Sequence, residues 1–421
     1  MKIKYMLMRN FLFSFMCFGL VFSSAGLFAA EVQQDDPDPV IETPLEDLDE
    51  KEFDPGEKAI GHIVDANAFH IGGNLFFHLP VMLFVPNEGW TLLRSTRQFK
   101  PETYGDGTIA INRFVLNHGT VYRVIDNSFP DGRVDIDGFT KRDAENRCGE
   151  IVPTIFVKYG GQEYQVEWKS TIDGCFFGGS ITSYYDFSIT KNVFSMLLVF
   201  GFLTWMFLVV AKAYRKRDGK APKGFQNFME TIIVFIQDDV AKPFLGKKYD
   251  RFLPFLLCIF FFILALNLFG LIPFFPGSAN VTGNLTVTMV LALFTFFTVN
   301  FVGNKHYWEH IFWMPGIPAP IKLILTPVEF IGLFIKPFTL MLRLSASITA
   351  GHIVMVAFVS LIFIFGDSGA NLQGSIMGAV MAFPLTLFMM GIELIIALVQ
   401  AFVFTILTAS YLGAATEEAH H

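Results

Sequence analysis

The chain has 421 residues, 52% of them hydrophobic and only 16% charged, with fifty phenylalanines. That is too much apolar material for a soluble enzyme of this size, and nothing suggests a nucleic-acid surface. The net charge of -7 is not a global property, because the acids concentrate in the first half, and the four cysteines (Cys17, Cys148, Cys175, Cys258) form neither a disulfide scaffold nor a metal-type spacing.

Residues 1–30 read as a secretory signal: Lys2, Lys4 and Arg9, then the apolar "FLFSFMCFGLVF", then small residues near Ala30. A first membrane anchor and a lipoprotein site at Cys17 compete with that reading. Phe15 and Met16 are too bulky for the lipoprotein site. Residues 31–57 are acidic and proline-containing, the composition of a flexible leader. From 58 to 190, runs such as "GTVYRVID" and "IVPTIFVKYGGQEYQVEWK" alternate with Gly, Asn and Asp turns, which predicts a β-rich extracytoplasmic domain. Cys148 and Cys175 would there share an oxidising compartment in which they could pair. His62, Asp65 and His70 could be read as metal ligands, but polar residues of an ordinary fold explain them better.

After Asn192 the chain changes solvent. "VFSMLLVFGFLTWMFLVVA" is long enough to span hydrocarbon, and Lys212, Arg215, Lys216, Arg217, Lys220 and Lys223 follow it, a cytoplasmic flag. Residues 225–248 mix apolar and charged positions and predict a helix lying on the inner face. "FLPFLLCIFFFILALNLFGLIPFF" returns outward and "LTVTMVLALFTFFTVNFVG" comes back in. Two long apolar segments, about 317–365 and 374–415, flank the base-free turn "GDSGANLQG". The expected fold of 191–421 is therefore an all-α polytopic membrane domain. It has five embedded helices and one interfacial helix, the last two long and antiparallel, with the N-terminal domain outside and the C-terminus in the cytoplasm.

Lys322, Glu329, Lys336 and Arg343 recur every seven residues, a slowly drifting stripe on one helix. Pro327 and Pro337 are positioned to interrupt the backbone and free carbonyls to it. Lys322 and Lys336 could simply snorkel, with Glu329 pairing one of them. Arg343 is too deep for that, cannot lose its proton, and is costly in lipid without a partner. Glu393 and Gln400 share one face of the last helix. An antiparallel register that sets Arg343 beside Gln400 also sets His352 beside Glu393, within about half a turn. His and Glu can titrate near neutrality and Arg cannot. Arg343 and His352 are half a turn out of phase on a straight helix, as two approaches that do not join would require.

"KPFTLMLRLSASITAGHI" and "LVQAFVFTILTASYLGAATEE", with "NLFGLIPFF" and "SANVTGNLTVTMVLAL" before them, closely resemble subunit a of rotary ATP synthases over about residues 190–418. The resemblance implies that Arg343 faces a carboxylate of the c-ring, that Gln400 positions the guanidinium, and that Glu329 and Lys336 lie on the inner path. Ser347 stands where the family often has Asn, and His352 and Glu393 stand where some members carry Glu and then His. A β-rich extension resembles one found in some bacterial members. The family's partners would be the c-ring, the peripheral-stalk subunit b, the rest of the complex and membrane lipid, at the bacterial inner membrane. The resemblance implies no cofactor, no metal and no ATP-hydrolysing site on this chain. A secondary transporter, a stand-alone channel or a non-catalytic scaffold remain as alternatives, as does Na⁺ in place of H⁺.

Overall fold

The computed structural model describes residues 65–72, 75–86, 88–101, 106–145, 151–167, 184–217, 220–272, 277, 279–313, 318–367 and 371–417. The expected signal, the acidic leader, His62 and both Cys148 and Cys175 lie outside them.

The first part is built from short antiparallel strands: β1 Ala68–Gly72, β2 Leu75–His78, β3 Val81–Val85, β4 Gly89–Leu93, β5 Ile109–Ile111, β6 Phe114–Asn117, β7 Thr120–Val124, β8 Arg133–Asp135, β9 Gly138–Glu145, β10 Ile151–Tyr159, β11 Gln162–Glu167 and β12 Tyr185–Asp186. Seven of them pair in the order β8-β5-β6-β7-β11-β10-β9, with a three-stranded sheet β12-β3-β4 and a β1-β2 hairpin beside it. In β3 the period-two pattern is plain: Val81, Leu83 and Val85 point inward while Met82 is exposed. They meet Phe99, Phe114, Leu116 and Tyr184 in one small core. The Tyr184 hydroxyl donates to Val121 O at 3.0 Å, which satisfies the one polar atom of that buried ring.

Helix α1 (Lys191–Lys216) starts at Thr190, whose side chain accepts from Val193 N. Its buried ridge, Val199, Leu203, Met206 and Val210, follows the 3.6-residue period, and Phe207 stacks edge-on against Phe261 at 5.2 Å. Helix α2 runs Phe225–Phe235 and continues through a wide π turn, Ile236–Ala241, to Leu245. Gly246 then turns with φ +51, a conformation that glycine adopts without strain, and α3 (Tyr249–Gly270) follows. Helices α4 (Leu285–Val302) and α5 (Lys305–Phe312) lead to the long pair α6 (Ala319–Phe365) and α7 (Leu372–Thr416). Aromatic contacts knit the bundle: Phe255–Phe294 joins α3 to α4, Phe296–Phe334 joins α4 to α6, and Phe235–Phe402 joins α2 to α7.

Among the described residues, five helical segments are long and apolar enough to cross a membrane. The 47 residues of α6 amount to about 70 Å at 1.5 Å per residue, more than twice a hydrocarbon core of ~30 Å, so α6 cannot stand upright across it. The expected interruption of the backbone at Pro327 and Pro337 does not occur. Helix α6 runs unbroken through Pro327 and Pro337, so the prolines cost local N–H bonds without breaking the rod. The hairpin end is closed by small residues. A Cβ on Gly378 would meet the Leu361 carbonyl at 2.8 Å, so the two helices cross there at nearly backbone contact. At the other end, Lys248 Nζ and Asn304 Nδ2 both donate to Thr416 O, at 2.8 and 3.0 Å, and Asn304 N donates to Ala415 O. Gly413 sits against the Phe244 carbonyl with no room for a Cβ.

Candidate functional site

The polar residues of α6 and α7 separate into three levels. Nearest the β-rich side, His352 Nε2 stands 3.6 Å from Glu393 Oε1, with the carboxylate side chain only 2% exposed. Gly351 makes the space: a Cβ there would lie 3.0 Å from Glu393 Oε1. Neither carboxylate oxygen of Glu393 has a hydrogen-bond partner among the described residues. On α3, Asn267 Nδ2 donates to Ala397 O at 3.0 Å, one turn past Glu393. Ser345 and Thr349 donate to Gly283 O, at 2.7 and 3.3 Å, tying the adjacent turns of α6 to the loop before α4.

At the middle level stands Arg343. It is exposed on this chain, amid the apolar Phe338, Leu342, Leu394, Leu398 and Val399, all exposed as well. Ser347 donates back to Arg343 O at 2.7 Å, a bond within its own helix. Gln400 lies part-buried on α7, and no hydrogen bond joins it to the Arg343 guanidinium among the described residues. Tyr411 is within electrostatic reach of Arg343.

The third level lies towards the clasped end. Lys336 Nζ sits 5.5 Å above the Tyr411 ring and Lys322 Nζ 4.6 Å above the Trp313 ring. The two lysines use aromatic faces, and Glu329 forms no ion pair with either among the described residues. Instead Glu329 acts on Tyr307 of α5. Burial first, and then the Glu329 carboxylate, hold that phenol above its ordinary 10.0. The Tyr307 hydroxyl donates to Asn300 Oδ1 at 3.3 Å. Asn300, Tyr307, Leu333, Lys336, Pro337 and Tyr411 line a cavity of 20 Å³, room for about one water molecule with polar partners.

Sequence reasoning placed His352 against Glu393 and the heptad stripe on one helix. It missed Tyr411, Tyr307, Asn300, Asn267 and Gly351. The only available signal was polar or small residues inside otherwise apolar runs. Of the metal-type triad, Asp65 accepts a hydrogen bond from Asn192 N at 3.1 Å. Among the described residues no three His, Cys, Asp or Glu come together.

A helical membrane bundle with a buried His–Glu pair, an arginine on an open apolar face and a water-sized cavity beyond it has the features of an ion-translocating membrane protein. The sequence profile of the ATP synthase A chain family matches residues 193–413. ATP synthase subunit a of Pelodictyon phaeoclathratiforme is 40% identical over 56% of this chain and 68% of its own length. ATP synthase subunit a 2 of Chlorobium luteolum is 41% identical over 56% and 70%, and ATP synthase subunit a of Anaeromyxobacter dehalogenans 39% over 63% and 67%. The chain therefore belongs to the ATP synthase subunit a family, the proton-translocating stator subunits of F-type ATP synthases.

Proposed function

We propose that the open face of α6 and α7 receives the c-ring and that Arg343 is the point past which each ring carboxylate must travel. The observation that carries this is the position of Arg343: a permanent charge at the centre of an exposed apolar surface. A patch of that kind needs a covering partner, and the charge needs an anion. Protons reach the ring from the outer side by way of Glu393 and His352, with Ser347 close to the arginine. A protonated ring carboxylic acid then turns through lipid without the cost of burying a charge. Near Lys336 and Glu329 it releases its proton towards the cytoplasm, through the cavity between Asn300, Tyr307 and Tyr411.

Arg343 attracts the returning carboxylate by about 4 kcal/mol at ~4 Å, for an effective dielectric near 20. That favours the ionised form and blocks reprotonation from the wrong side, yet is weak enough for rotation to overcome. Gln400, on the facing turn of α7, would hold the guanidinium once the ring is seated. The β-rich region lies outside the bacterial inner membrane and the clasped end of α7 inside, next to the remaining complex including subunit b.

The test is Arg343→Ala in the whole complex. ATP synthesis driven by a proton gradient is expected to vanish while the c-ring still co-purifies. Near-normal synthesis would refute the assignment, and proton uptake by the purified chain alone would favour a stand-alone channel.

A further inference from the structure

The three-stranded sheet β12-β3-β4 has two unlike faces. On one, Val81, Leu83, Val85 and Leu93 are buried in the small core beside Tyr184. The other carries two cross-strand rows. Tyr185, Phe84 and Trp90 stand in register. Met82 pairs with Leu92, and its carbonyl accepts from Phe187 N at 2.8 Å. The Trp90 ring lies 4.9 Å from that of Phe84 and 5.4 Å from that of Phe187, so the two rows form one surface. Neither row holds a charge. Trp90 is 55% and Leu92 64% exposed, and Tyr185 and Met82 are exposed as well. A single exposed leucine needs no explanation, but four rings and two aliphatic chains in one patch do.

The patch stands beside the point where the chain enters the bilayer. Tyr185 precedes Lys191, the first residue of α1, by six positions, at most ~22 Å of extended chain. The uncharged residues 193–211 are about 28 Å long as a helix, close to a hydrocarbon core of ~30 Å, which leaves Lys191 and Asn192 at headgroup depth. The β-rich region is fastened to that first turn. Lys191 N donates to Ala66 O at 2.8 Å, Asn192 N to Asp65 Oδ1 at 3.1 Å and Met82 N to Ser188 Oγ at 3.0 Å. Phe69 and Phe77 pack on Phe194 at 5.6 and 6.0 Å between ring centres. Phe194 heads a stripe of α1 that continues through Leu197, Gly201, Trp205 and Leu208, all exposed and spaced by three or four residues. Apolar surface thus continues from the span into the β-rich region through Phe77, which is itself exposed.

The composition of the patch points to lipid. Trp and Tyr favour the zone between hydrocarbon and water, where the ring is sheltered and its N–H or O–H stays hydrated. Arg94, next after Leu92 on the same side of β4, is exposed and suits a lipid phosphate. We propose that this face of the β12-β3-β4 sheet is seated in the headgroup layer of the leaflet at which α1 begins, with Trp90, Leu92 and Tyr185 against lipid. The β-rich region then rests on the bilayer instead of standing clear of it, and the contact helps to set the tilt of α1. This inference rests on α1 as a membrane span, and not on the roles of Arg343 or of the His352–Glu393 pair.

The experiment uses the complete complex in lipid nanodiscs, where both membrane faces are open to solution. The four native cysteines are replaced by serine. An environment-sensitive nitrobenzoxadiazole label is placed by Leu92→Cys or, separately, by Arg142→Cys on the charged surface near Glu163. Lipid with a nitroxide high on its acyl chain should quench the label at 92, whose emission should shift to the blue, and leave the label at 142 bright. Iodide in solution should quench the label at 142 the more strongly. A label at 92 that iodide quenches and nitroxide lipid does not overturns the proposal. So does a label at 92 shielded from both, which marks a protein cover, a second copy or another subunit. Should the labelled complexes not assemble, the unaltered complex decides. Lipid with a photoreactive diazirine close to its glycerol should cross-link to peptides of β3 and β4, and cross-links confined to the helices overturn the proposal.

Discussion

Helix α3 and the α6–α7 pair are comparably apolar and treated in opposite ways. In the most apolar eighteen residues of the α2–α3 segment 72% are buried within the chain, against 17% in α6 and 22% in α7. Hydrophobicity alone therefore does not separate a scaffold from a working surface. The first is apolar and enclosed, with Leu256, Cys258 and Ile263 inaccessible. The second is apolar, open and interrupted by Arg343. What distinguishes them is the isolated charge, which has no purpose in a surface meant only for lipid tails.

The contrast can be broken where it is sharpest. Replacing either His352 or Glu393 by the other's residue should cut proton-driven ATP synthesis severely. Exchanging both should recover a substantial part, because the two side chains share one space beside Gly351. Rates measured in membrane vesicles check this, and a double exchange no better than the singles would show that the pair is not coupled. Next, Leu256→Ala should destabilise the purified subunit by about 2–5 kcal/mol, the range for large-to-small changes at enclosed sites. Leu342→Ala, on the open face, should leave its denaturation midpoint nearly unchanged and weaken retention of the ring. If both behave alike, the division into scaffold and working face is wrong.

A smaller effect is expected at the end of α7. Asn304→Ala removes a donor to Thr416 O and should cost about 1 kcal/mol in detergent unfolding. The smallest concerns the β-rich region. Burial, and then the Arg97 charge, hold the His78 imidazole below its ordinary 6.5. The folded form thus takes up its proton at lower pH than the unfolded form does. Its contribution is complete above ~6.5 and declines as pH falls through the window below that value. Amide protection factors of β2 and β3, taken relative to the intrinsic exchange rate at each pH, should fall on acidification in the wild type and less so in His78→Gln.

Much of the membrane part was legible because the bilayer enforces simple rules. Uninterrupted apolar runs gave the spans, and the short turn between α6 and α7 forced an antiparallel register that brings His352 to Glu393. Other features are set by partners distant in sequence. Asp65 and Asn192 are bonded across 127 residues, and no local pattern announces it. Tyr307 and Tyr411 look like ordinary interfacial aromatics until α5 folds back beside α6. The prolines of α6 misled for a related reason: a neighbouring bundle steadies a helix that would bend alone. Strand order in the large sheet was likewise beyond local reading, since β11 sits between β7 and β10 through a non-sequential pairing.

The clasp on Thr416 makes α7 a lever with one end fastened. Two donors, one just before α3 and one just before α5, grip the same carbonyl, and Gly413 is pressed on the Phe244 backbone. A sideways shove delivered at Gln400 consequently cannot swing that tip free. The load is handed to the segment at Phe244 that ends α2 and to the root of α3, so any lateral force on α7 spreads into the enclosed part of the bundle.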